Sequence, residues 1–276
     1  MIDIGANLAH ESFADDLDAV LERAGAAGVE QIIVPGSCMD SSRQALALAT
    51  RHPGHLFATA GLHPHHASEY GAEHQVLFGE LLGNPLVVAG GECGLDYFRD
   101  LSPRADQRRA FEAQLQLAIA AGKPVFLHQR DAHADFLPIL REYRPQLVNA
   151  VVHCFTDTAE AMAEYLALDC HIGITGWICD ERRGAQLLEA AAQIPAQRLM
   201  IETDSPYLLP RNIRPRPKHR RNEPAYLPYV VEQLAAATGR SVQAIRQSSS
   251  ATAKAFFRLP DRLSPCLLYT SPSPRD

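Results

Sequence analysis

The feature that most limits what this chain can fold into is an alternation. Short runs rich in β-branched residues are separated by longer stretches of helical period, and the pattern recurs about eight times. The strand-like runs are Ile2 to Asn7, Gln31 to Pro35, Leu56 to Leu62, Val87 to Gly91, Pro124 to His128, Asn149 to His153, His171 to Thr175 and Leu199 to Thr203. Between them Leu17, Val20, Leu21 and Ala24 repeat as one face of a helix that stops near Gly28. Phe111, Leu115, Ala118 and Ile119 do the same before Gly122. Strand and helix in strict alternation predict a parallel sheet.

Two architectures share that alternation, an open doubly wound sheet and a closed (β/α)8 barrel. The position of the reactive residues favours the barrel, because there the C-terminal ends of all strands open onto one mouth. Read in order, the run ends give Asn7, His63 and His65, Glu92, His128, His153, and Glu202 with Asp204. Imidazoles and carboxylates at the ends of separate strands meet only if the sheet closes. A length of 276 residues, 46% hydrophobic and 21% charged, suits one barrel of about 250 residues with a large core. The expected fold is therefore α/β, a (β/α)8 TIM barrel over residues 1–260 as one hydrolase domain. Residues 261–276, Ser- and Pro-rich without period, read as a non-native or disordered tail.

In a dry barrel mouth isolated carboxylates are costly. A divalent cation compensates Glu92 and Asp204 while His128 and His153 supply nitrogen, so these four residues are the candidate metal ligands. Hard oxygen mixed with imidazole accommodates Mg²⁺, Mn²⁺ or Zn²⁺. Such a site activates water and polarises a phosphoryl or carbonyl oxygen, which points to hydrolysis with Asp204 as the group that orients or deprotonates the water. Asp204, ahead of Ser205-Pro206, is also a fair helix cap. Cys93 and Cys154 each follow a candidate ligand, and strand alternation turns their sulfurs toward packing rather than metal.

Net charge is −6 at a pI near 6.0, so no global field draws the chain to polyanions or anionic membrane. The exception is Arg211-Asn212-Ile213-Arg214-Pro215-Arg216-Pro217-Lys218-His219-Arg220-Arg221, a cationic, proline-stiffened stretch after the last strand. Beside the mouth it suits phosphate recognition through Arg214, Arg216, Lys218, Arg220 and Arg221. Arg220 and Arg221, next to Asn222-Glu223-Pro224, also suit an ion pair that anchors the loop. Six scattered cysteines, no signal-like N-terminus and no apolar run of about 20 residues lead us to expect a cytoplasmic protein without a membrane span.

Several segments together resemble the TatD deoxyribonucleases. They are Asp3-Ile4-Gly5-Ala6-Asn7-Leu8, Gly61-Leu62-His63-Pro64-His65, Gly91-Glu92-Cys93-Gly94-Leu95-Asp96 and His153-Cys154-Phe155-Thr156. Further on come the stretch from Ile174 to Gly184, Glu202-Thr203-Asp204-Ser205-Pro206-Tyr207-Leu208 and Arg220-Arg221-Asn222-Glu223-Pro224. The likeness runs from residue 2 to about 259. It implies an amidohydrolase-like metallohydrolase, a magnesium-dependent 3′ to 5′ exonuclease on single-stranded DNA and RNA with a part in DNA repair. It further implies metal at Glu92, His128 and His153, with Asp204 in the metal-linked catalytic role and Glu92 beside it. His63 and His65 match a motif at the mouth and are assigned to substrate contact. The wider family ends its first strand in a His-x-His pair, where this chain has Gly5 and Asn7. One firmly held ion is expected, with Asn7 at most a neutral oxygen for a second. Two rival readings are a barrel hydrolase acting on an ester or amide such as D-aminoacyl-tRNA, and a non-catalytic nucleic-acid-binding protein.

Overall fold

The computed structural model describes residues 1–261; residues 262–276, nearly all of the segment read as a tail, lie outside the described residues. Eight strands run β1 (Ile2–Asp3), β2 (Gln31–Val34), β3 (Leu56–Ala60), β4 (Val87–Asp96), β5 (Val125–Arg130), β6 (Ala150–Val152), β7 (His171–Ile174) and β8 (Leu199–Ile201). Each pairs in parallel with the next, in sequential order from β1 to β8. The ends of that sheet meet: Ile4 N–H donates to Ile201 O at 3.1 Å, Asp204 N–H to Gly5 O at 2.7 Å and Asn7 N–H to Ser205 O at 2.8 Å. A doubly wound sheet would leave two free edges and a strand-order reversal. The barrel reading holds.

The helices α1 (Leu17–Ala26), α2 (Met39–Arg51), α3 (Ala72–Leu82), α4 (Arg104–Ala121), α5 (His133–Tyr143), α6 (Ala159–Ala167), α7 (Ala185–Ala191), α8 (Leu227–Thr238) and α9 (Val242–Phe257) follow the strands. Strand alternation divides the core in two. Ile32 and Val34 join the large cluster that faces the helices, while Ile33 joins Ile2, Ile4, Phe57, Val88, Phe126, Val151 and Met200 in a second cluster. Phe256 and Phe257 at the end of α9, and Leu259 just after it, belong to that inner cluster, so the last helix packs its final turn against the barrel interior.

The strand over Val87 to Gly91 is longer than the sequence suggested, continuing to Asp96. The ladder with β5 shifts register between Gly90 and Cys93, and Gly91 and Gly94 take φ of 125° and 147°. Side chains rarely adopt such values. At Gly94 a Cβ would also collide with His128 O. The close approach sets Glu92 on β4 beside His128 on β5.

Candidate metal centre and active site

Glu92, buried to 8% exposure, occupies the middle of the mouth. Its Oε1 lies 3.0 Å from His128 Nδ1, 2.9 Å from His153 Nε2 and 3.3 Å from His63 Nε2. Thus β3, β4, β5 and β6 each send one group to a single point. The opposite nitrogen of two of these rings is pinned by a carboxylate. His128 Nε2 sits 3.2 Å from Asp96 Oδ2, and His153 Nδ1 sits 3.3 Å from Glu202 Oε2. Asp96 also takes His65 Nε2 at 2.9 Å. Asp204 closes the far side, its Oδ1 accepting from Asn7 Nδ2 at 3.1 Å.

The electrostatics follow from burial and these partners. Burial opposes charge on Glu92, but His153 and His63, with hydrogen bonds from His128 and His153, hold its carboxyl well below the usual carboxylate range. Burial likewise opposes protonation of His153, and Glu92 and Glu202 override it, raising its pKa well above an ordinary imidazole. Burial pushes Asp204 up to about 7, against the pull of His153. His63, desolvated beside other imidazoles, falls to about 4. Neighbouring groups therefore separate in proton affinity, as they do where acid–base work is done.

Of the strand-end residues named from sequence, Asn7, His63, His65, Glu92, His128, His153 and Asp204 line one cavity of about 1040 Å³, while Glu202 is fully buried behind it. Cys93 is fully buried in the core. Cys154 lines the mouth, contrary to simple alternation, because β6 ends at Val152 and a φ of 44° turns the residue back, its sulfur 3.7 Å from Thr175 Oγ1. Asp96 and Glu202, which brace the two imidazoles, had no role assigned from sequence. Their signal was present, each falling at a strand end or in a quoted motif.

The basic stretch lies outside the lining of this cavity. Arg221 turns to α1, where its guanidinium meets Asp16 at 2.7 and 2.8 Å and Ser12 O at 2.5 Å. Arg211 pairs with Asp180 at 3.3 Å, and Arg214 donates to Arg211 O at 2.7 Å. Arg216, Lys218 and Arg220 are exposed. The arginines that line the mouth are Arg99, Arg130 and Arg183, from the ends of β4 and β5 and the turn after β7, and sequence reading missed them.

A family model for TatD related DNase matches residues 2–258. The chain belongs to the TatD DNase family. A protein named 3′-5′ ssDNA/RNA exonuclease TatD from Erwinia billingiae is 50% identical over 260 residues, covering 94% of this chain and all of that protein. Its namesake from Escherichia fergusonii is 46% identical over 257 residues, 93% of this chain and 98% of that one. Among solved structures, a TatD homologue from Escherichia coli K12 superposes with a TM-score of 0.85 at 28% identity, covering 94% and 98% of the two chains. A TatD family hydrolase from Entamoeba histolytica gives 0.84 at 26%, covering 93% and 97%. In this TatD chain the first-strand His-x-His expected of the wider family is Gly5 and Asn7, and the structure shows what takes the space. A Cβ on Gly5 would strike the Glu202 carboxylate, and one on Gly173 would lie 2.6 Å from its other oxygen. Two glycines make the slot for the carboxylate that orients His153. Asn7 instead steers Asp204.

Proposed function

We propose that the chain is a metal-dependent hydrolase that removes nucleotides 3′ to 5′ from single-stranded DNA and RNA, the activity named for its relatives. The observation that carries this is the pairing at the two imidazoles. His128 and His153 each present one nitrogen to Glu92 and have the other pinned, by Asp96 and by Glu202. Carboxylates behind imidazoles in this way fix the ring and raise its basicity toward a cation. The donor set also fits an ion: His63 Nε2 and His128 Nδ1 face one another at 3.3 Å, both against the same Glu92 oxygen. A cation satisfies those lone pairs together. Glu92, His128, His153 and Asp204 are the residues assigned to hold it, with His63, whose Nε2 faces the same Glu92 oxygen, as a further donor, Mg²⁺ first and Mn²⁺ or Zn²⁺ as substitutes. When bound it lowers the pKa of water and neutralises charge on the scissile phosphate.

The chain's own groups do the rest. Asn7 anchors Asp204 at Oδ1, leaving Oδ2 to take the proton of the attacking water. His65, steadied by Asp96, faces the substrate, and His63, assigned to substrate contact from sequence, has Nε2 turned toward Glu92. Arg214, Arg216, Lys218 and Arg220, exposed and outside the cavity lining, are assigned as phosphate contacts for the part of a strand that extends beyond the mouth. Cytoplasmic DNA repair and fragment clearance suit such an activity. Digestion of end-labelled single strands under a panel of metals, with and without EDTA, tests the reading. We expect shortening from the 3′ end that EDTA abolishes, and a loss in kcat of at least about a hundredfold in Asp204→Asn. Metal-independent turnover, or hydrolysis of D-aminoacyl esters with intact strands, sinks it.

A further inference from the structure

One side of the mouth carries a feature that the metal centre does not use. Phe98 follows β4, Arg130 ends β5, and Trp177 and Arg183 follow β7, and all four line the cavity. They stack in alternation. The Arg130 guanidinium lies 4.0 Å from the centroid of Phe98 and 5.8 Å from that of Trp177, and Arg183 lies 4.2 Å from Trp177. Phe98 remains 55% exposed, although burying an aromatic ring is the default for a folded chain. Asp180 fixes Arg183 over the indole, its Oδ2 accepting from Arg183 Nε at 2.9 Å. Arg130 has no carboxylate partner among the described residues. It is held by two π-faces, so its planar fork of donors is left unspent.

Resting on the exonuclease reading, we propose that this Phe98–Arg130–Trp177–Arg183 ladder is the base-stacking subsite for the nucleotides next to the scissile phosphate. Phe98 and Trp177 accept unpaired bases, and Arg130 meets the phosphate between them. The chemistry explains why a single strand is the substrate. Every base has a π-face, so stacking is sequence-tolerant, and paired bases hide theirs within a duplex. An acidic protein also needs its phosphate contacts to be local, and Arg130 supplies one at the mouth itself.

Trp177 is the sole tryptophan of the chain, so its fluorescence reports on this subsite alone. We expect oligodeoxythymidylate to quench that emission and an abasic strand of equal length to leave it unchanged. Phe98→Ala should raise KM for the oligonucleotide by at least about fivefold, the low end for losing one stacked base. Trp177→Phe, which keeps a ring, should hold KM closer to wild type than Trp177→Ala. Arg130→Ala should lower the log–log salt slope of binding by about 0.7, the value for one phosphate. If the strand binds, by anisotropy, with no change in Trp177 emission and no dependence on bases, the ladder is surface packing and the subsite is wrong. If wild-type protein neither binds nor shortens single strands, the exonuclease reading itself falls, and the subsite with it.

Discussion

Asp3 shows how a single side chain ties the closure of the barrel to pH. Fully buried, it accepts from Gly5 N–H at 3.2 Å, Thr203 N–H at 2.9 Å and Thr203 Oγ1 at 2.6 Å, clasping β1 to the segment that carries Asp204. Burial raises its pKa to about 7, only partly countered by those bonds. Between its unfolded value, about 3.9, and 7 the folded chain holds this proton more tightly than the unfolded chain. Its contribution to stability is therefore complete below the lower value and is lost as pH rises through 7. Asp3→Asn should remove that part of the pH dependence, because the amide keeps one acceptor and Thr203 Oγ1 can accept from the new N–H. Urea unfolding at pH 5 and pH 8 measures it, and an unchanged difference between the two pH values in the variant overturns the account. The same scale explains which site residues were legible. Glu92, His128, His153 and Asp204 end hydrophobic runs and announce themselves. Asp96 shows itself by its distances to His128 and His65, and Glu202 by its distance to His153, and a sequence does not carry those distances.

Among elements, the proposed phosphate contacts fall into two groups, the basic stretch and the ladder. The stretch was conspicuous because its charges are close together in sequence, whereas Arg99, Arg130 and Arg183 are far apart in the chain, at the end of β5 and in the segments after β4 and β7. Folding also splits the stretch itself. Arg211 and Arg221 are spent on Asp180 and Asp16, while Arg216 and Lys218 stay exposed and Arg214, among the described residues, bonds only backbone oxygens. Replacing Arg214, Arg216 and Lys218 together by alanine should thus lower the salt slope by up to about 2 for a strand long enough to leave the mouth. A dinucleotide should bind with its slope unchanged. Arg221→Ala should act elsewhere, lowering stability by up to about 1 kcal/mol through its half-exposed ion pairs. Salt titrations with short and long strands separate these cases, and equal loss for both lengths would place the stretch inside the mouth. The elongation of β4 was illegible for a related reason. Gly91 and Gly94 read locally as strand breakers, and only pairing with β5 makes their left-handed backbone part of a strand.

At the scale of the whole molecule the barrel has two ends with different work. The C-terminal mouth carries chemistry, and the opposite interior is filled by the last turn of α9, where Phe256 is 2% and Phe257 3% exposed. The helical period of α9 is plain in the sequence, but nothing there says that its final aromatic pair packs with Ile2, Ile33, Phe126 and Met200 rather than with a neighbouring helix. Phe256 stacks edge-on to both Phe257 and His171, with ring centroids 4.6 and 4.9 Å apart, so truncating it opens a cavity bounded by strands that cannot collapse inward. We expect Phe256→Ala to cost about 3–5 kcal/mol, the range for deleting a buried aromatic ring. At roughly 2–4 °C per kcal/mol for a domain of this size, Tm should fall by about 6–20 °C. Below the new Tm, metal content should be unchanged, since Glu92, His128 and His153 are held at the other end by their own pairings. Calorimetry and metal analysis on the purified variant check both parts. A loss of less than about 1 kcal/mol would mean that α9 caps the barrel without closing it, and a loss of metal would mean that the two ends are coupled through the strands.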